Sequence, residues 1–533
     1  MEPAEQNTKS STKIYDELVA FMQQKGFIWG PEPEIYGGLA GFYTYAPLGK
    51  LLKNNVENEI RRLYMKNGFW EVECPTVMQK EVWQASGHLG GFTDPVIICS
   101  KCKGNFRADK LIEDYFFQNK EDYHEGLTIG SVTPENLSNL FNVHKEIACP
   151  NCKNVFINVK PTDIKEHTLM MKTTIGLDVE AYNRPETATT TYLPFLRYTE
   201  FFRKKLPFSV FQIGKAYRNE ISPRQHVMRC REFTQAEAQI FLFKDQKTEF
   251  EKYATVQHNT MPLWPWQFQE NNTAPKIITV HEALEKGYFK NKAYAWAVHL
   301  AYSFFKAIGI PDEKIRLRQH YPDEKAFYAD DAWDIEVKLH SFGWFELCGV
   351  HDRTNYDLTQ HGKASGKSLT AFNEQSTATE KNEIPNIIEI AFGTDRPTFA
   401  LLDLFYAKID EKEGKTKFMI PRHMAPVKVA VFPLVKKNGL SEAAQKLFDE
   451  LQQEFSARYD AAGSIGKRYL REDESGTPYC ITIDYDTIKT DSPHYGTVTI
   501  RDRDTEEQKR IKLIDVKETI KKLLSYELKW ENL

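Results

Sequence analysis

Two carboxylates stand in segments that otherwise read as core. Glu346 lies in Trp-Phe-Glu-Leu-Cys and Glu389 in Ile-Ile-Glu-Ile-Ala, and an ionised group buried unpaired in such a strand costs several kcal/mol. Each acid therefore needs a cation: a buried Arg or Lys of the chain itself, a ligand ammonium, or a metal ion bridging phosphates. Two such acids on separate strands beside an Arg-rich hairpin favour a binding site. The hairpin reads by parity. Gln212, Gly214, Ala216, Arg218 and Glu220 share one face of its first strand, and Arg231, Gln235, Glu237 and Gln239 share one face of the return. Paired polar faces make either the floor of a polar-ligand site or an ordinary solvated sheet with cross-strand ion pairs. Arg396, in Phe-Gly-Thr-Asp-Arg between a strand end and a helix start, sits where backbone N–H groups and the helix dipole favour an anion.

A second chemistry is written in cysteine. Four of the eight cysteines form the pairs Cys99-Ser-Lys-Cys102 and Cys149-Pro-Asn-Cys152. In a reducing compartment two such pairs supply four thiolates, the tetrahedral set of a structural zinc, which would tie down an insertion too small to fold unaided. The other reading is four unrelated thiols or a decayed site. Cys74, Cys348 and Cys480 are expected in the core.

These residues need elements to position them. Leu48, Leu51, Leu52, Val56, Ile60, Leu63 and Tyr64 have helical spacing, with Asn67-Gly68 as the stop. Phe69 to Glu73 alternates as a strand. Ser209 to Arg218 and Arg231 to Phe241 form the antiparallel hairpin around Ser222-Pro223-Arg224-Gln225. Ala293 to Ala307 reads as a buried helix, Trp344 to Val350 and Ile387 to Phe392 as strands, and Pro397 to Ala407 as a helix. Beyond the prolines at 421 and 426, Val427 to Val435 (strand), Ser441 to Tyr459 (helix), Cys480 to Tyr485 and Gly496 to Arg501 (strands) and Asp515 to Leu524 (helix) make a compact α/β module.

Composition bounds the answer. The 533 residues carry 70 Lys plus Arg against 74 Asp plus Glu, a net charge of -4, so any nucleic-acid site must be local. At 41% hydrophobic and 27% charged the chain is neither disordered nor fibrous. No apolar run approaches a membrane span, and Met1-Glu2-Pro3 opens without signal-peptide character. A cytoplasmic protein of several domains, with no membrane partner, is expected.

The motifs carry a resemblance. Gly-Phe-Tyr-Thr-Tyr-Ala-Pro-Leu-Gly-Lys (41–50), Tyr-Arg-Asn-Glu-Ile-Ser-Pro-Arg (217–224) through Arg-Cys-Arg-Glu-Phe (229–233), and Phe-Gly-Thr-Asp-Arg (392–396) resemble motifs 1, 2 and 3 of class II aminoacyl-tRNA synthetases. Arg-Pro-Glu-Thr-Ala (184–188), Gln-Ala-Glu-Ala (235–238), Tyr-Asp-Leu (356–358), Pro-Asn-Ile-Ile-Glu (385–389), Ser-Ile-Gly-Lys-Arg-Tyr (464–469) and Thr-Val-Thr-Ile-Arg-Asp-Arg-Asp (497–504) look like the homodimeric glycyl-tRNA synthetases.

The resemblance implies an α+β fold: an antiparallel sheet flanked by helices, a zinc-ribbon-like insertion and a C-terminal α/β anticodon-binding domain. It implies a disordered N-terminus at 1–12, a catalytic domain at 13–98 (with motif 1) and 161–420 (with motifs 2 and 3 and an insertion at about 245–312), a cysteine insertion at 99–160, and the anticodon domain at 426–533. It also implies ATP with Mg²⁺, glycine and tRNA(Gly) as partners, and a homodimer. Arg218, Glu220 and Arg396 would be catalytic. Asn219, Arg229, Cys230, Glu346 and Leu347 would join them around ATP. Glu186, Glu237, Glu389, Ile390 and Ala391 would bind glycine, and Cys99, Cys102, Cys149 and Cys152 a zinc ion. The sequence departs from the family at Glu389-Ile390-Ala391, where relatives carry Glu-Pro-Ser, at Thr189-Thr190-Thr191, and at Thr44-Tyr45-Ala46. Alternatives are a class II synthetase for threonine, proline or serine, or an inactive synthetase-like tRNA-binding protein.

Overall fold

A computed structural model describes residues 3–119, 133–221, 223, 225–376, 379, 381–410 and 415–533. Helix α1 (Pro47–Lys66) has Pro47 in its first turn and ends at Asn67-Gly68. Its stripe Leu48, Leu52, Val56, Ile60 and Tyr64 enters the main core at one-turn spacing. Gly49 has to be glycine, because a Cβ there would lie 1.8 Å from the Phe27 carbonyl oxygen.

A nine-stranded sheet organises most of the chain. Its strands are β1 (Phe69–Glu71), β2 (Phe208–Tyr217), β3 (Glu232–Leu242), β4 (Thr260–Trp264), β5 (Lys276–Thr279), β6 (Ile315–Gln319), β7 (Asp331–Leu339), β8 (Gly343–Asp352) and β9 (Asn386–Gly393). Their spatial order is β5-β4-β6-β7-β8-β9-β3-β2-β1. Every pairing is antiparallel except β1 with β2 and β4 with β6. Period-two alternation gives the sheet two unlike faces. Ala236, Ala238 and Ile240, Cys348 and Val350, and Ile388, Ile390 and Phe392 pack into one core with α1 and with α2 (Lys292–Ala307). The opposite face carries Gln212, Glu237, Glu389 and His351, set by a register that pairs Gln212 with Glu237, Glu237 with Ala391, and Glu389 with His351. A slip of one residue would bury the wrong set, so the apolar face fixes where the acids stand. After β9 the chain turns into α3 (Asp395–Phe405).

The cysteine module is wider than the expected 99–160. Thr93–Ile98 pairs with both Asn105–Arg107 and Ile164–Thr168, closing a small sheet around its own core of Phe106, Ile112, Leu137 and Phe141. The module also contains the helix Pro134–Val143, capped by the Thr133 hydroxyl. The C-terminal module has a five-stranded sheet, ordered Ala457–Tyr459, Val429–Pro433, Tyr479–Ile483, Thr497–Asp502, Gln508–Lys512, with a separate core.

Several expectations are corrected. The segment 1–12, expected to be disordered, is helical from Pro3, continuous with a helix to Lys25 whose Leu18, Phe21 and Met22 anchor it in the main core. The stretch 245–312, expected to be an insertion, supplies β4, β5 and the buried helix α2, all part of the main sheet and core. The hairpin strands are joined by a longer loop with a turn at His226–Met228; Ser222 and Arg224 lie outside the described residues. The helix expected at 441–459 stops at Leu451, and Ala457–Tyr459 is an edge strand. The helix expected at 397–407 runs from Asp395 to Phe405.

Candidate active site

The polar face of the sheet floors a cavity of about 420 Å³. Arg218, Glu220, Arg229, Cys230, Glu346, Leu347 and Arg396 line it, together with Glu186, Glu237, Glu389 and Ala391. Asn219 and Ile390 do not. Asn219 is spent on the cysteine module, its amide donating to the Leu169 carbonyl at 2.8 Å and its own carbonyl 2.8 Å from His167 Nε2. Ile390 lies on the core face of β9, where alternation puts the neighbour of two floor residues. Glu346, expected to be buried, keeps 47% of its side chain exposed and meets Arg396 Nη1 at 3.4 Å; it sits beside a register shift in the β7–β8 pairing.

The three acids of the deeper part differ in partner. Glu389 has the protein cation that its sequence context demanded: Arg353 Nη1 is 3.2 Å away, and the Tyr192 hydroxyl donates to it at 2.7 Å. Burial alone would raise the Glu389 carboxyl, but Arg353 and then His351 bring it below the ordinary value. Glu186 accepts from Thr189 at 2.9 Å and lies 3.6 Å from His88 Nε2. Against burial, His88 and Arg353 hold its carboxyl well below the usual range. Glu237 is different. Thr187 Oγ1 donates to it at 2.5 Å and Gln235 Nε2 at 2.9 Å, but among the described residues no Lys, Arg or His pairs with it. Burial first, then the charges of Glu389 and Glu186, push its carboxyl up to about 8.

The arginines gather around the loop after β2 and the start of α3. Arg218 is clamped between the rings of Phe92 and Phe233, 5.4 and 5.3 Å from their centroids, and its Nε donates to the Pro185 carbonyl at 3.1 Å. Its Nη groups have no protein acceptor among the described residues. Glu220 is held by Arg229 at 2.9 Å. Arg396 donates through Nη1 to the Glu346 carbonyl at 2.9 Å and lies over Phe345. Its neighbour Asp395 is locked from three sides: Lys53 at 2.5 Å, the Tyr45 hydroxyl at 2.6 Å and the Thr234 amide at 2.7 Å. The site thus joins a cation-rich half to an acid-rich half across one floor.

Comparison with known proteins agrees. The family model for the tRNA synthetase class II core domain (G, H, P, S and T) matches residues 177–261, and the anticodon binding domain matches residues 428–523. A relative described as glycine–tRNA ligase from Pyrococcus abyssi is 39% identical over 96% of this chain and 98% of its own length. One from Methanococcus maripaludis is 37% identical over 95% and 99%. The chain belongs to the glycine–tRNA ligase family. A solved structure of Giardia lamblia prolyl-tRNA synthetase in complex with prolyl-adenylate shares the class II fold, with a TM-score of 0.60 over 97% of this chain and 80% of that one at 14% identity.

Within this glycine–tRNA ligase fold, several site residues escaped the sequence reading. Arg353 forms a bidentate pair with Asp357, at 2.9 and 3.0 Å, besides holding Glu389. Its i,i+4 spacing to Asp357 across the Tyr-Asp-Leu motif was the available signal. Lys53 hides on the buried side of α1, where a lysine in an apolar stripe is visible only once Asp395 is placed. Gly214 makes room for a protein side chain: a Cβ there would meet Arg184 Nη2 at 2.2 Å, and Arg184 itself donates to the carbonyls of Lys215 and Cys74 and to Gln212. Arg184 thereby fixes the Pro185-Glu186-Thr187 turn against β2.

The four paired cysteines converge as expected. All four Sγ atoms lie within 4.8 Å of one another, with Cys99 to Cys152 and Cys102 to Cys149 each at 3.6 Å. Four thiolates about 2.3 Å from a central zinc stand at such separations. The two knuckles are near copies: the amide of each first cysteine donates to the residue five on, and Lys103 and Lys153 donate back, both with φ 59°. The donor set and its geometry fit a structural zinc ion.

Proposed function

We propose that this chain activates glycine with ATP, forming glycyl-adenylate and pyrophosphate, and passes the glycyl group to the 3′-end ribose of tRNA(Gly). The observation that carries the reading is Glu237: a buried acid with protein donors but no paired cation among the described residues, flanked by two acids, is a seat for a ligand ammonium. The glycine carboxylate is already ionised and attacks the α-phosphate directly, so this step needs no general base from the chain. Position and charge do the work. Arg218, with its terminal nitrogens unspent among the described residues, holds the attacking carboxylate and the α-phosphate in a forked grip. Arg396, at the N-terminal turn of α3, takes the γ-phosphate. Glu220 receives the adenine amine, with Arg229, Cys230 and Leu347 around the nucleotide. Glu346, half exposed beside Arg396, would hold Mg²⁺, which supplies charge neutralisation to the phosphates. Glu186, Glu237 and Glu389 surround the ammonium, and Ala391 lies beneath it.

Cys99, Cys102, Cys149 and Cys152 would hold a structural zinc ion. The module at 428–523 contacts the anticodon. Two copies pair along the β1 edge of the sheet, where Trp70 of β1 and Phe201 of the helix Phe195–Phe201, 56% and 61% exposed, meet edge to face. A cytoplasmic location fits a chain whose described helices are all too short or too polar to span a membrane. Charging of tRNA(Gly) with labelled glycine tests the whole reading: the purified protein should charge it with ATP present, and failure with every tRNA would overturn it.

A further inference from the structure

Next to the acid-rich half of the cavity, Phe327-Tyr328-Ala329 meets the start of the helix Tyr356–Ser365. Phe327 is 83% exposed, although its type is normally buried. Its ring stands edge-on to two others, 5.2 Å and 90° from Tyr356 and 5.3 Å and 76° from Tyr328. The two tyrosines are stacked 5.4 Å apart at 19°. The three rings border a pocket of about 250 Å³ with Asp330, Thr354 and Asn355 on its polar rim. Tyr328 is common to both spaces: it also lines the catalytic cavity, with the Arg353 guanidinium 4.6 Å from its centroid. Arg353 is in turn fixed by Asp357 and Glu389, so the inner wall of the aromatic pocket is rigid and is also a wall of the amino-acid site.

We infer that this aromatic pocket is a stacking site for an unpaired base of the tRNA 3′ end, which places the terminal ribose over the adenylate. The inference rests on the proposed function and goes beyond it. Of the three reactants, glycine has no flat surface to stack, and ATP is engaged by the cation-rich half of the cavity. The tRNA remains, and its acceptor end must bring a hydroxyl to the activated carbonyl. Unpaired bases stack on exposed aromatic rings without regard to sequence, and a polar rim then meets base edges or ribose. An exposed phenylalanine one side chain from the reaction centre fits that task.

Phe327 does not line the catalytic cavity, so Phe327→Ala should leave glycine-dependent ATP–pyrophosphate exchange within about twofold of wild type. Its kcat/KM for charging tRNA(Gly) should fall about tenfold or more, the loss expected of one base stack. Phe327→Trp, which keeps a π face, should charge near the wild-type rate. A tRNA stripped of its unpaired 3′ nucleotides should bind wild type and Phe327→Ala equally, whereas intact tRNA should bind wild type more tightly. Normal charging by Phe327→Ala, or a binding deficit that persists with the stripped tRNA, would overturn the assignment and hand the rings to another partner. Absence of exchange in wild type would instead remove the proposed function beneath it.

Discussion

On the proposed reading, Glu237 seats the ammonium of glycine. Its carboxyl titrates near 8 in the fold, above the ~4.3 of an unfolded glutamate. The folded state therefore holds this proton more tightly: the stabilisation is complete below about pH 4 and is lost as the pH rises through about 8. Glu237→Gln stays neutral at every pH, so above pH 8 it should melt at a higher temperature than wild type, with the gap closing towards pH 5. An ammonium ligand binds the ionised form, so the wild-type KM for glycine should fall as pH rises from 6 to 8. Glu237→Gln should lose that slope and raise the KM at least tenfold while leaving the KM for ATP nearly unchanged; exchange kinetics across pH read both. Arg218→Lys tests the other half. Lys cannot fork or lie flat between Phe92 and Phe233, so exchange should drop at least a hundredfold with the melting curve little moved. Glu237, Arg218 and Arg396 were legible because charge inside alternating or strand-end segments has few explanations. Arg353 and Lys53 were not, since each is a protein cation whose meaning depends on an acid distant in sequence.

At the scale of elements, the site depends on how α1, β3 and α3 are tied. Lys53 of α1 meets Asp395 at the start of α3 and the Thr234 hydroxyl of β3, all buried. Burial would raise the Asp395 carboxyl, and the contact with Lys53 more than reverses this. Lys53→Met leaves that charge buried and unpaired, which should cost about 3–5 kcal/mol in denaturant unfolding, and should lower exchange as well because Arg396 follows Asp395 in the chain. Replacing both, as Lys53→Met with Asp395→Asn, should recover part of the stability but not the activity. The elements themselves were readable wherever one face is apolar: α1, α2 and the central strands carry clear periodicity. The helix Ile465–Ser475 does not, because its inward face is ionic, Glu472 meeting Arg458 at 3.1 Å and Asp473 meeting Arg501 at 2.8 Å. Gln508–Lys512 likewise reads as solvated, being a basic edge strand. Trp264-Pro265-Trp266 carries no periodicity of its own, yet the strands on either side of it complete the sheet.

In the whole molecule, separate cores divide the labour. The main core ends with Met424, Ala425 and Val427, and a distinct core begins at Val429. A chain truncated after Val427 should keep most of its ATP–pyrophosphate exchange and lose tRNA(Gly) charging by at least a hundredfold; equal loss of both would deny the division. The family was legible from three motifs in order, while the strands Thr93–Ile98 and Ile164–Thr168 that flank the cysteine module were not, since their pairing is set across space and not by local composition. The claim that joins these scales is the proposed one, that a buried acid without a cation partner among the described residues seats the ammonium of glycine in a class II fold. ATP–pyrophosphate exchange measured with each amino acid in turn, for wild type and Glu237→Gln, tests it most directly. Exchange should be driven by glycine alone, at least a hundredfold above alanine or serine, and should collapse in the variant at sub-saturating glycine. Equal stimulation by alanine, serine or threonine, or unchanged glycine kinetics in Glu237→Gln, would contradict it.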